Sequence, residues 1–153
     1  MRIATLLITV LALVLCAVAA AGTADNVRLA TRYFLENMAT GRFANPDAMF
    51  APNFIAHGAA ASYTLAQDTA ATSSWRTAMP DLKVTVQRTV ADRDMVAVHW
   101  MASGTNTVAL GALPGRGDRL GIEGMTFFRF AAGRIAEEWS VIDVAQLRKE
   151  LAQ

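Results

Sequence analysis

Proton transfer near neutral pH needs a histidine, or a carboxyl group whose surroundings move its pKa. The chain has two histidines, His57 and His99. His57 closes the run Asn53-Phe54-Ile55-Ala56 and reads either as a general base at a pocket mouth or as a satisfied polar side chain after a short helix. His99 alternates with Val98 and Trp100, so it shares a strand face with Ala97 and Met101 and reads as a core or interface histidine. Neither has a partner at metal-ligand spacing, so no zinc centre is expected. Among the acids, Asp68 falls between Leu65 and Thr72 on one helical stripe, close to a helix N-terminus where a carboxylate is favoured in any case. Asp81 follows Pro80 at a corner, and Asp143 precedes a helical pattern; turn and cap chemistry account for both. Glu138 has the same strand parity as Ser140, and Glu123 the opposite parity to Thr126.

The elements that hold these groups can be read in order. Val27, Ala30, Phe34 and Met38 keep helical spacing behind Asp25, which can cap the helix, and Gly41 ends it. Asn45-Pro46-Asp47 starts a second helix, kept short by Pro52. Thr64-Leu65-Ala66-Gln67 fits a capping box, opening a helix that Met79-Pro80 stops, with Leu65, Thr72, Trp75 and Met79 facing inward. The period then changes to two. Leu82, Val84, Val86 and Val90 alternate with polar residues, and Asp92-Arg93-Asp94 turns the chain into a strand from Met95 to Met101. A Gly-rich loop, Gly111 to Gly117, leads to a strand from Leu120 to Phe130. Ala131-Ala132-Gly133 is a tight turn into a strand from Arg134 to Ile142, and Asp143 caps a last helix carrying Val144, Leu147 and Leu151. Helices followed by sequential antiparallel strands imply an α+β domain whose helices pack on one face of a curved sheet and leave a conical pocket.

The first two dozen residues stand apart. Met1-Arg2 gives a short basic start, Ile3 to Ala21 is apolar except for Thr5 and Thr9, and the small residues of Ala17 to Ala24 offer cleavage sites. That order is expected of a secretory signal peptide over residues 1–24, cut between Ala19 and Ala24, with one domain over 25–153. A membrane anchor is the competing reading, and lipid attachment at Cys16 a third. Cleavage removes Cys16, the only cysteine, and with it any disulfide or thiolate. The protein would then be secreted or periplasmic, with no stable membrane anchor. The whole chain of 153 residues is 54% hydrophobic and 18% charged with a formal charge of +1, and its charges are scattered. No basic stripe that would track nucleic-acid phosphates is present.

Several motifs carry a resemblance: Met79-Pro80-Asp81-Leu82, Gly104-Thr105-Asn106-Thr107, Leu113-Pro114-Gly115, Gly124 to Arg129, and Gly133-Arg134-Ile135-Ala136-Glu137-Glu138-Trp139 before Asp143. In order and spacing, from about Asn26 to Leu151, the chain resembles the SnoaL-like polyketide cyclases and the wider ester cyclase group of the nuclear-transport-factor-2-like superfamily. The resemblance implies a cone of helices on a curved antiparallel sheet with a short C-terminal helix, often dimeric. It also implies aldol-type ring closure with no metal or organic cofactor, needing a base for a carbon acid and stabilisation of the enolate. A His at position 57 is frequent in the group.

The resemblance also exposes departures. The acid/base carboxylate of the family belongs directly after Trp139, where this chain has Ser140; a substrate-binding His falls on Thr126, and another frequent His on Asn106. Glu138, on the pocket-facing parity, can replace the missing carboxylate, with His57 and Asp68 as the other candidate acids or bases. Thr126, Ser140, Phe128, Trp75 and Asn106 are the expected ligand-binding residues. Met125, Phe127, Ile135, Trp139 and Val141 fall on the opposite parity, and so much outward apolar surface implies a homodimer. Two functions stay open: a protein whose pocket binds a small apolar or carbonyl-bearing molecule, and a cofactor-independent cyclase or isomerase. The lost carboxylate tilts the reading toward binding.

Overall fold

The computed structural model describes residues 22–58, 61–111 and 114–143. The leader up to residue 21, with Cys16 and most of the expected cleavage segment, lies outside the described residues, as does the expected last helix with Val144, Leu147 and Leu151. Among the described residues no helix is long and apolar enough to cross a membrane.

Helix α1 covers 22–40 and contains a π turn at Phe34–Met38. It already runs through Asp25, so this residue does not cap it; Asp25 instead pairs with Arg28 at 2.9 Å on the exposed side. Of the expected stripe Ala30, Phe34 and Met38 are buried and Val27 is partly buried, and Tyr33, outside that stripe, is buried with them. Gly41 ends the helix at φ +79°, a left-handed conformation that favours glycine. Helix α2 (Pro46–Met49) is one turn long, and Asn45 Oδ1 accepts from the Ala48 N–H at 3.2 Å. In helix α3 (Leu65–Ala78) the Thr64–Gln67 capping box is complete. At its far end Arg76 reaches across to donate to the Met38 and Ala39 carbonyls, capping the C-terminus of α1 and tying the two helices together.

Six strands form one sheet in the order β2-β1-β6-β5-β4-β3. They are β1 (Phe50–His57), β2 (Ser62–Tyr63), β3 (Lys83–Asp92), β4 (Met95–Asn106), β5 (Asp118–Ala131) and β6 (Arg134–Ile142). Neighbours pair antiparallel except β1 with β6, which run parallel. The sequence pattern missed β1 and β2. In β1 the buried residues Phe50, Phe54 and Ala56 share one face, but Pro52 interrupts that face and the apolar Ile55 lies on the other, so no clean alternation shows in the sequence. The register against β6 shifts between Phe50 and Ile55. Pro52, with no N–H to give, lies in that gap.

In β4 and β5 every second residue is buried, from Val96 to Asn106 and from Leu120 to Phe130, and these residues meet the helices as the core. Two bulges change the expected faces elsewhere. The register of β3 shifts between Val86 and Arg88, so Val84 and Val86 point inward while Val90 emerges 72% exposed. In β6 the shift falls between the pairs Phe130–Ile135 and Arg129–Glu137. Ile135, expected on the outer face, is therefore buried in the core, while Glu137, Trp139 and Val141 face out. Glu138 and Ser140 keep their common inward parity, opposite Phe128 and Thr126.

Candidate functional site

The inner face of the sheet and the two long helices line a half-open cavity of about 170 Å³. Tyr33, Phe34 and Met38 enter it from α1, and Asp68, Thr72 and Trp75 from α3. Its floor is Trp100 of β4, Thr126 of β5, and Glu138, Ser140 and Ile142 of β6. The capping box fixes where α3 begins, and that start sets the phase that turns Asp68, Thr72 and Trp75 toward the sheet.

A chain of hydrogen bonds with one direction crosses the floor. The Trp100 indole can only donate, and gives its N–H to Thr126 Oγ1 at 3.1 Å. Ser140 gives its single proton to Glu138 Oε1 at 2.8 Å, so Thr126 must be the donor in the 2.8 Å contact with Ser140 Oγ. Three donors thus align toward one oxygen of Glu138, starting from the buried Trp100 and Thr126 and passing through Ser140, which is exposed. Gly124 makes the alignment possible. A Cβ on it would lie 2.4 Å from Trp100 Cζ2, so only glycine lets the indole lie across β5 and reach Thr126.

Glu138 is 4% exposed, and its other oxygen, Oε2, has no hydrogen-bond partner. Burial, reinforced by the negative charge of Asp68, pushes its pKa up to about 8 against the pull of the Ser140 hydroxyl. At neutral pH it is therefore mainly a carboxylic acid. Asp68 is also raised by burial, while the Tyr33 phenol, donating to Asp68 Oδ2 at 3.0 Å, opposes the shift. Tyr33 itself is raised well above its ordinary value, by burial first and then by the carboxyls of Glu138 and Asp68, so it remains a donor. Burial thus raises both carboxyls of one cavity, Glu138 to about 8, and perturbed neighbours of this kind mark a candidate acid–base site.

The other expected residues are elsewhere. His57 does not reach the cavity: odd residues of β1 point outward, and its Nε2 meets Glu137 Oε2 at 2.8 Å while its ring stacks on Trp139 at 4.6 Å. Arg129 holds the same Glu137, and the hydrogen bonds of Arg129 and then His57 keep that carboxyl below its usual range. His99 is on the outer face too, bonded to Glu123. Asn106 is buried at the end of β4, donating to the Pro114 carbonyl at 2.7 Å. Phe128 lies beneath the cavity, its ring 5.0 Å from that of Tyr33. Asp81 accepts from the backbone and hydroxyl of Thr105, as a corner residue should. Tyr33 and Trp100 were not singled out for the site; their inward phase beside Phe34 and Val98 was the available signal. Among the described residues no three His, Cys, Asp or Glu side chains gather as a metal ion would require.

Helices packed on one face of a curved six-stranded sheet are the fold of the nuclear-transport-factor-2-like domains. Within that class, the family described as SnoaL-like polyketide cyclase matches residues 28–151, and the chain belongs to it. Solved structures agree on the fold. A putative polyketide cyclase from Acidithiobacillus ferrooxidans superposes with a TM-score of 0.71 at 21% identity, covering 84% of this chain and 95% of that one. TsrD from Streptomyces laurentii gives 0.74 at 22%, with 84% and 95% covered. A putative SnoaL-like polyketide cyclase from Jannaschia sp. CCS1 gives 0.73 at 17%, with 85% and 93% covered. No curated protein matches the chain.

Proposed function

We propose that the chain is a cofactor-independent acid–base enzyme, a cyclase or isomerase acting on a small carbonyl compound, with Glu138 as the acid and Asp68 as the base. The observation that carries this reading is the buried carboxyl of Glu138, a residue that lines the cavity and whose Oε2 has no hydrogen-bond partner. A neutral carboxyl there presents its O–H to a ligand carbonyl and can stabilise the enolate that forms when a neighbouring C–H is lost. The Ser140–Thr126–Trp100 chain occupies Oε1 and leaves Oε2 as the free end. Asp68, which accepts from the Tyr33 hydroxyl, takes the carbon-bound proton. Ser140, at the position where the resemblance expects a carboxylate, thus orients one two residues away. This favours catalysis over the binding function that the lost carboxylate suggested.

The cavity is smaller than the 300–1,000 Å³ typical of ligand sites, so the substrate, or the part of it that reacts, is small. The test is exchange of carbon-bound hydrogen with deuterated water, followed by NMR for a panel of small ketones and β-keto esters. The wild-type protein should accelerate exchange for at least one, and Glu138→Gln and Asp68→Asn should each lower the rate about 10²–10⁴-fold. No exchange with any member, or full rates in both variants, would reject the assignment.

Two further proposals concern setting. We propose export, supported by the basic start, apolar run and small residues of the leader. We also propose a homodimer through the outer sheet face, where Met125, Phe127 and Val141 are exposed beside Met101 and Val90.

A further inference from the structure

The cavity of Glu138 and Asp68 has an unusual composition for a carbonyl site. Tyr33, Phe34, Trp75 and Trp100 supply four aromatic rings, Asp68 and Glu138 supply two carboxyls, and none of the described residues that line it is basic. Among the described lining residues there is no cationic side chain to pair with an anionic ligand. Aromatic rings with carboxylates are instead the chemistry that holds an ammonium ion, through ring quadrupoles and charge-assisted hydrogen bonds.

We propose that this cavity takes a small organic ammonium ion, held between the Glu138 and Asp68 carboxyls within its four aromatic rings. The second observation is Glu138 itself, 96% shielded and on the cavity wall with Oε2 unpartnered. An ammonium group brings up to three N–H donors, so it meets the missing partner of Oε2 and the charge of Asp68 together. The volume of about 170 Å³ suits a small organic cation rather than a large one. Binding is coupled to a proton. Glu138 passes its carboxyl proton to solvent as the ammonium ion arrives, leaving a carboxylate–ammonium pair with all charges accounted for. The titratable groups facing Glu138 are Tyr33 of α1 and Asp68 of α3; β1 and β5 pair with it through Ala56 and Phe128. Because the Glu138 proton must leave, affinity rises with pH, at most about tenfold per unit, up to the pH where Glu138 is already ionised.

The inference goes beyond the acid–base reading and needs no turnover. Calorimetry on the full chain would compare cyclopentylammonium with two neutral probes of equal size, cyclopentanol and cyclopentanone, and with cyclopropanecarboxylate, at matched ionic strength from pH 6 to 8. The ammonium ion should bind at least tenfold tighter than cyclopentanol, tighten as pH rises, and release a proton seen as a dependence of the heat on buffer. Glu138→Gln and Asp68→Asn, checked as folded by near-ultraviolet circular dichroism, should each weaken it about tenfold or more. An ammonium ion bound no tighter than the alcohol, or equally by both variants, overturns the proposal. Cyclopentanone exchange without ammonium binding removes this inference and leaves the acid–base reading in place; ammonium binding without exchange of any ketone does the reverse.

Discussion

A buried carboxyl whose pKa is raised opposes folding as pH rises. Glu138 keeps its proton in the folded state up to about pH 8, whereas the unfolded chain releases it near the ordinary glutamate value. Below that ordinary value both states hold the proton and no penalty exists. Between there and about 8 the folded state binds more protons, so stability is lost by at most about 1.4 kcal/mol per pH unit. Glu138→Gln removes this slope while keeping the shape of the side chain. Its melting temperature should therefore rise relative to wild type as pH goes from 5 to 8; a difference that stays constant over that range would mean Glu138 titrates normally. At this scale the sequence was partly legible. The shared parity of Glu138 and Ser140 was visible, because the bulge at β6 lies before both of them. Tyr33 was hidden in a stripe read as Ala30, Phe34 and Met38, since spacing shows which face is apolar and not which ring stands between two acids. His57 was misplaced because β1 was unrecognised, and without a strand its direction could not be derived.

The elements that place the cavity are β4, β5, β6 and the two helices packed across them, and β4 and β5 are the regular ones. Their alternation is regular over long runs, which is why these strands were readable to within a few residues. Elements that failed to read are those with an irregularity: the register shift in β1, and the bulges that reverse parity in β3 and β6. A bulge adds one residue and leaves no compositional mark, so Val90 and Ile135 each went to the wrong face. The contact between Gly124 and Trp100 is the place where one atom tests the architecture. Gly124→Ala must push the indole off β5, breaking its bond to Thr126 and the alignment toward Glu138. The overpacking should cost about 1–3 kcal/mol in denaturant unfolding and alter the near-ultraviolet circular dichroism of the tryptophans. A variant as stable as wild type with an unchanged spectrum would mean the indole lies elsewhere.

For the whole molecule, the outer sheet face decides how the chain is assembled. Phe127 is 47% and Met125 55% exposed, and with Val141 they form a band across β5 and β6 flanked by the His57–Glu137–Arg129 and His99–Glu123 contacts. An apolar band with a polar rim has the anatomy of an interface. Light scattering at tens of micromolar should give twice the chain mass, and Phe127→Glu should give the monomer with its helical circular dichroism intact. A monomeric wild-type protein would end the proposal. Processing is tested on the same material: intact mass of exported protein should show a new N-terminus between Ala19 and Ala24, and a retained Met1 or a lipid on Cys16 would contradict it.

The central claim is that at neutral pH a neutral glutamic acid faces the cavity with one oxygen free. Carbon-13 NMR of protein labelled at the glutamate side-chain carboxyl carbon reads this directly, as a function of pH. The wild-type spectrum should contain one carboxyl that titrates near pH 8, far above the others, and this signal should be absent in Glu138→Gln. A Glu138 signal that is fully ionised at pH 6 would contradict the account.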